Sequence, residues 1–253
     1  MKLERLLLPL LLLVVWQVFS LLQIIPAYKL PSPLAIIGGL VNLIRHGMPP
    51  GHRLQYHLLY SLYRVAVGFT LAAILGVPLG LLMGWSSRLN KLVSPIVEIV
   101  RPVPPLAWIP IAILWFGIGI KSAAFIIFLG GVFPILLNTI NGVLLVNSVL
   151  IEAARTLRAG EKDILCKVLI PGALPSIFVG LRIGIGIGWM TLVAAEFTGV
   201  KTGYGLGYMI MTARDIQRPD EVLAGMIVIG VTGLLIDYSL RKAQACLVKW
   251  QQG

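Results

Sequence analysis

Apolar residues run along the chain in six long blocks separated by short polar stretches, not in the mixed periodicity of a water-soluble domain. The blocks are Leu6 to Ile25, Val65 to Trp85, Leu92 to Phe116, Ala123 to Val143, Ala173 to Thr198 and Val222 to Leu240. A helix needs about 20 apolar residues to cross a bilayer. The pattern therefore predicts an all-α polytopic membrane protein with six transmembrane helices. An N-terminal helix occupies residues 1–29, an outer loop with an interfacial helix 30–63, the main bundle 64–241 and a short tail 242–253. The first block follows Lys2 and Arg5, but it is too long for a signal-peptide core and Gln23 to Pro31 offers no small-x-small cleavage site, so it reads as an uncleaved span.

Within the outer loop, Ser32 suits a helix N-cap and Pro33 the first helical turn of a segment ending near Gly47, too short to span. The loop reads as polar from there to about Tyr63 and holds all three histidines, His46, His52 and His57, without an acid or cysteine beside them. No metal site is expected. The third block carries Pro102, Pro104, Pro105 and Pro110, which remove backbone donors; membranes tolerate this where neighbours or a water-lined cavity satisfy the freed carbonyls. A helix broken beside a pathway is expected there, followed by an interfacial anchor and tight turn from Trp115 to Lys121. Glycines recur every fourth residue at Gly76, Gly80 and Gly84 in the second block and at Gly180, Gly184 and Gly188 in the fifth. Such stripes are packing seams. Spacing leaves open whether they face another helix of the chain or a second copy.

Composition supports the membrane reading: 58% of the 253 residues are hydrophobic and 12% charged, where a soluble domain carries about a quarter charged. The net charge of +11 would raise nucleic-acid binding in a soluble protein, yet the basic residues fall mostly between apolar blocks. They suit topology signals and lipid headgroups, and no nucleic-acid partner is expected. With both termini inside, eleven Lys and Arg flank the spans on the inner side and seven on the outer, which favours cytoplasmic termini. Cys166 and Cys246 fit no disulfide framework or ligand spacing.

Candidate pathway groups are the ionisable residues inside spans. Arg101, beside Pro105, lies three residues from Glu98 and either pairs with it or serves the pathway. Arg182 either meets a carboxylate or attracts an anion; Glu196 suits a gate or an interface contact, and Asp237 pairs with Arg241 one turn on. Trp189, Met190 and Thr191 occupy the middle of the fifth span, lining a pathway or packing.

The long internal segment 147–171 is the one charge-rich stretch, with Ile151, Ala154, Leu157, Ile164, Leu165 and Val168 at helical spacing. It predicts a short helix, a turn at Gly160 and a second helix leading through Pro171 into the fifth span. Glu152-Ala153-Ala154 with Pro171 nineteen residues after the Glu resembles the EAA loop of permease subunits of bacterial ATP-binding-cassette (ABC) importers. The likeness extends to Leu30-Pro31-Ser32-Pro33, Arg101 to Pro110, Leu114 to Gly119, Phe133 to Thr139 and Val193 to Glu196, and looks like the aliphatic sulfonate, taurine and nitrate branch. One departure is Arg158, where the family pattern has Gly: the turn is displaced to Gly160, or Arg158 is strained, or it makes a contact of its own.

The resemblance implies a type I importer permease fold in the bacterial inner membrane, working as a homodimer with two cytoplasmic ATPase subunits and an external binding protein. Glu152, Ala153, Ala154, Leu157, Arg158, Gly160 and Pro171 would then form the ATPase-coupling element, and the cargo would be a small anion such as a sulfonate, taurine, nitrate or bicarbonate. No G-x-x-x-x-G-K-[ST] occurs, since Gly119-Ile120-Lys121-Ser122 and Gly199-Val200-Lys201-Thr202 lack the upstream Gly. ATP and Mg would therefore sit on the partner, and no catalytic residue, metal or cofactor is expected in this chain. The alternative is a stand-alone channel or secondary transporter for small anions, which would need no coupling loop and which an inverted repeat between halves would favour.

Overall fold

The computed structural model describes residues 4–48, 51–198 and 204–248. Lys2, Lys201 and Lys249, counted above among the flanking charges, and the Gly199–Thr202 stretch apart from its neighbours, lie outside these residues. The described elements are helices: α1 Glu4–Leu21, α2 Pro33–Arg45, α3 Leu54–Trp85, α4 Ser87–Val100, α5 Ile109–Phe116, α6 Ile120–Leu144, α7 Ser148–Thr156, α8 Glu161–Ile164, α9 Ile170–Thr198, α10 Leu206–Asp215 and α11 Pro219–Leu247. The third, sixth and eleventh helices, and the continuous helix from Glu161 to Phe197, are each long and apolar enough to cross a membrane. The fourth and fifth pass that test only as a pair, bent by 81° at the proline run, and α1 supplies a shorter apolar helix, Leu7–Leu21. The third span is thus broken at the proline run, as the sequence predicts.

Contacts divide the chain into two compact units, Met1–Leu62 with Lys201–Thr232, and Tyr63–Val200 with Gly233–Gly253. In the first, Ser32 caps α2 by accepting from the Ala35 amide at 3.1 Å, and Pro33 begins the helix, as the sequence predicts. Asn42 of α2 donates to the buried Glu221 at 2.6 Å, and Arg218 reaches the same carboxylate at 2.9 Å. A hydrogen bond to Asp220 holds the Arg218 guanidinium above its usual range. Two elements here differ from the sequence reading. The loop expected to run to Tyr63 ends at Arg53, because α3 starts at Leu54. Its buried positions include Leu54, His57, Ser61 and Arg64, so the helical period is carried largely by polar side chains and is invisible to hydropathy. The tenth helix, unforeseen between the fifth and sixth spans, buries Leu206, Met209, Ile210 and Ala213. His57 Nδ1 lies 3.0 Å from the Gly205 carbonyl oxygen, His46 Nδ1 3.0 Å from Asn42 Oδ1, and the His52 ring packs on Tyr204.

In the second unit α6 is the central element: 67% of its most apolar stretch is buried, against 17–33% in the other long helices. Both glycine stripes lie against it, within this chain. A Cβ on Gly76 would meet Ile135 Cγ2 at 3.0 Å, on Gly80 Thr139 Cβ at 2.6 Å, and on Gly84 Val143 Cβ at 2.6 Å. From the ninth helix, a Cβ on Gly180 would meet Asn138 Cβ at 2.8 Å, on Gly184 the Gly131 carbonyl oxygen at 2.9 Å, and on Gly188 Ile127 Cγ2 at 3.0 Å. Lipid offers no hydrophobic drive between helices, so backbone approach and van der Waals contact must hold this three-helix core. Gly68 and Ala72 extend the stripe on α3 at the same spacing. Gly186 is different: nothing lies within 4 Å of its added Cβ.

This contrast is testable by thermal unfolding of the purified protein. Gly80→Leu should cost about 1–3 kcal/mol through overpacking, whereas Gly186→Ala should be neutral or stabilise by up to about 1 kcal/mol. Equal effects at the two positions would contradict the assignment of the seam.

Candidate functional site

The seventh helix starts on Asn147, whose Oδ1 accepts from the Val149 amide at 2.9 Å. It ends at Thr156, after which Arg158 takes φ +58°. The Arg158 amide donates to the Arg155 carbonyl at 2.9 Å and the Ala159 amide to the Ala154 carbonyl at 3.0 Å. These two bonds form a Schellman motif with arginine at the left-handed position that glycine ordinarily fills. The turn is therefore not displaced to Gly160, which is extended at φ −71°, ψ 158° and opens α8. Arg158 is exposed, forms no ion pair among the described residues and carries left-handed strain of roughly 1–2 kcal/mol.

The inner face of this loop is seated in the bundle. Ile151, Ala154 and Ala159 pack on a cluster of Val143, Ile164, Leu169, Ala173 and Ile177, which also receives Val77, Leu81 and Trp85 of α3. The Arg155 guanidinium lies 6.0 Å from the Trp85 ring centre, within cation–π range, and Arg155 pairs with Glu161 at 3.5 Å. Beyond the eighth helix, residues 165–169 widen into a π-turn in which the Ile170 amide donates to the Leu165 carbonyl. That extra room accommodates Pro171, which has no N–H and whose ring would press on the preceding turn of a regular helix. The outer face of α7 is left uncovered: Glu152 and Ala153 are exposed, as are Val149 and Leu150, and Leu157 is 83% exposed at the helix end. The Glu152 carboxylate is exposed and forms no ion pair among the described residues, while Arg155, one turn on, pairs with Glu161.

The in-span candidates separate into distinct environments. Glu196 is buried against Arg64 at 2.6 Å, with side chains 0% and 1% exposed, tying α9 to α3. Sequence reasoning left Arg64 without a role. The available signal was that Arg64 is the one Lys or Arg between Arg53 and Arg88 and Glu196 the one acid between Asp163 and Asp215, and intramembrane charges require partners. Arg182 meets Asp237 at 3.1 Å, and the other oxygen of Asp237 meets Arg241 at 2.6 Å, so one carboxylate bridges two guanidiniums. Trp189 is buried against Gly233 of α11, and Thr191 donates to the Gly188 carbonyl at 3.0 Å and sits beside Gly130. These two pack, while Met190 between them is 72% exposed. Arg101 and Pro105 do come together, in the wall of a cavity of about 260 Å³ at the α4–α5 bend. The expected Glu98–Arg101 pair is absent among the described ion pairs, since Arg101 turns to the cavity.

A bundle of apolar helices, a broken span with a cavity and an exposed turn rooted in the core are the parts of a transport subunit. Residues 76–251 match the family model of the binding-protein-dependent transport system inner membrane component. The chain belongs to this family of importer membrane subunits. It is 39% identical to the taurine transport system permease protein of Escherichia coli over 94% of this chain and 86% of that protein. It is 38% identical to the bicarbonate transport system permease protein of Synechococcus elongatus over 93% of this chain and 87% of that one. Among solved structures it resembles a chain of an inward-facing MetNI methionine ABC transporter, with a TM-score of 0.65, 25% identity, and coverage of 77% of this chain and 95% of that chain. The fold is that of a type I ABC importer permease, a polytopic membrane protein and a transport subunit.

Two measurements check the geometry. Replacing either member of the buried pair alone, by Arg64→Met or Glu196→Leu, should cost about 3–5 kcal/mol, and the double replacement should recover most of that loss; thermal unfolding in detergent reads it, and single variants as stable as the parent would contradict a buried pair. Arg158→Gly should raise the thermal stability of the 147–171 loop by about 1 kcal/mol, read as slower hydrogen exchange over residues 148–164; faster exchange would contradict the left-handed assignment.

Proposed function

We propose that this permease forms, as a homodimer, the translocation pathway of an importer for a small anion, driven by two cytoplasmic ATPase subunits that dock on the loop 147–171. The carrying observation is the two-sided build of that loop. Its inner face is packed on α3, α6 and the π-widened entry to α9, and its outer face presents Leu157, Glu152 and Ala153 without cover. A force applied to the outer face passes into three helices that the glycine seams make one body. Alternating access follows: ATP-driven closure of the ATPases moves the two loops together and rocks the bundles, opening a central path to an external binding protein.

Both termini lie in the cytoplasm in this reading, in keeping with the excess of basic residues on the inner flanks. Leu114 on α5 and Met190 on α9, 81% and 72% exposed, supply apolar surface for the second copy. ATP and Mg belong to the ATPase, which brings the phosphate-binding loop this sequence lacks. An anionic cargo is supported by the taurine and bicarbonate permeases among the relatives and by the cationic lining at the broken span.

The test is co-expression with a partner ATPase and binding protein, followed by purification and uptake in proteoliposomes. Glu152→Lys should lower both ATPase recovery and ATP-driven uptake by about tenfold or more, an interface loss of about 1.4 kcal/mol or greater, with the chain itself still folded and inserted. Unchanged uptake and recovery would remove the loop from the coupling role.

A further inference from the structure

The cavity at the broken span combines an exposed arginine, Arg101, which forms no ion pair among the described residues, with an apolar wall. Its floor is the turn after α4, where Arg101 follows the last helical residue, and Trp108 rises from the next turn. Opposite stand Phe133 and Leu137 of α6 and Ile187 of α9. Gly130 and Pro134 also line it. A cation within a spanning region is costly unless it meets an anion or water. The other in-span carboxylates of this unit are engaged: Glu196 with Arg64, and Asp237 with Arg182 and Arg241. Glu98 forms no ion pair with Arg101 among the described residues.

We propose that Arg101 and this cavity form an anion subsite on the translocation path that prefers an organic anion with a short hydrocarbon tail over an inorganic oxyanion. The inference rests on the permease reading and adds where the cargo is held and how it is sorted. The guanidinium supplies two parallel donors that match two oxygens of a sulfonate or carboxylate. Trp108, Phe133, Leu137 and Ile187 then surround the tail. Each methylene buried there strengthens binding roughly fourfold. Nitrate or bicarbonate gives up its hydration to the same guanidinium and leaves that wall without contact. A cavity of about 260 Å³ has room for an anion with a two-carbon tail.

The test uses the assembled permease–ATPase complex in nanodiscs without the binding protein, so that selectivity read there belongs to the membrane subunit. Affinities for ethanesulfonate and for nitrate are measured by tryptophan fluorescence at constant ionic strength, with Trp108→Phe identifying the reporting side chain. Ethanesulfonate should bind about tenfold tighter than nitrate. Arg101→Gln should weaken ethanesulfonate by tenfold or more, with Arg101→Lys between the two. Ile187→Ala leaves the cation in place and should narrow the preference for ethanesulfonate severalfold, which keeps the test open if the arginine variants fail to elute as a monodisperse complex. Equal binding of the two anions, or wild-type affinity in Arg101→Gln, overturns the subsite. Failure of an ATPase to co-purify with the wild-type chain instead overturns the permease reading, whatever the binding shows.

Discussion

The close approach of α3 and α9 to α6 is the constraint on which the second unit depends. In lipid, apolar side chains gain nothing by leaving one hydrocarbon environment for another, so helices associate through contact area and backbone proximity. Glycine at every fourth position provides that proximity on both flanks of α6. At Gly80 and Gly180 even a methyl group would overlap a neighbouring atom. The buried Arg64–Glu196 pair adds a directional tie between α3 and α9, the two helices that flank the seam.

This rigidity gives the exposed loop its mechanical meaning. Ile151 and Ala154 are set into the same cluster as Val143 of α6, Ala173 and Ile177 of α9 and Val77 of α3. Ala154 can sit there because it is small, and Leu157, three residues on, points away. The loop is thus fixed to the bundle at one face. Its end is held by a Schellman motif strong enough to force Arg158 into a left-handed conformation, so turn geometry prevails over side-chain preference at that position. The break at the proline run supplies the complementary feature, a place where the wall of the bundle opens and an arginine faces a cavity instead of a carboxylate.

Much of this organisation was legible in the residues. The apolar blocks, the Ser32 cap, the proline break and the glycine stripes each follow from a local rule. What escaped was long-range. Hydropathy placed the start of α3 near Val65 because His57, Ser61 and Arg64 are polar, yet these side chains face inward where Gly205, Leu206 and Glu196 meet them. The tenth helix was missed although Leu206, Met209, Ile210 and Ala213 fall at helical spacing, since the stretch is too short and polar to register as a span. Arg182 and Asp237, 55 residues apart, were assigned separately, because spacing reports partners within a helix and not across two. The 147–171 loop stands out by its resemblance; only its packing shows which face is rooted and which is exposed.

Cross-linking distinguishes the rooted face of the loop from the exposed one. In a background with Cys166 and Cys246 replaced by Ser, a cysteine at Leu157 and a cysteine at Ala154 are each treated with a short bifunctional thiol reagent in the complex with the ATPase. Leu157→Cys should join the permease to the ATPase, and Ala154→Cys should not. Cross-linking from Ala154→Cys with none from Leu157→Cys would contradict this arrangement.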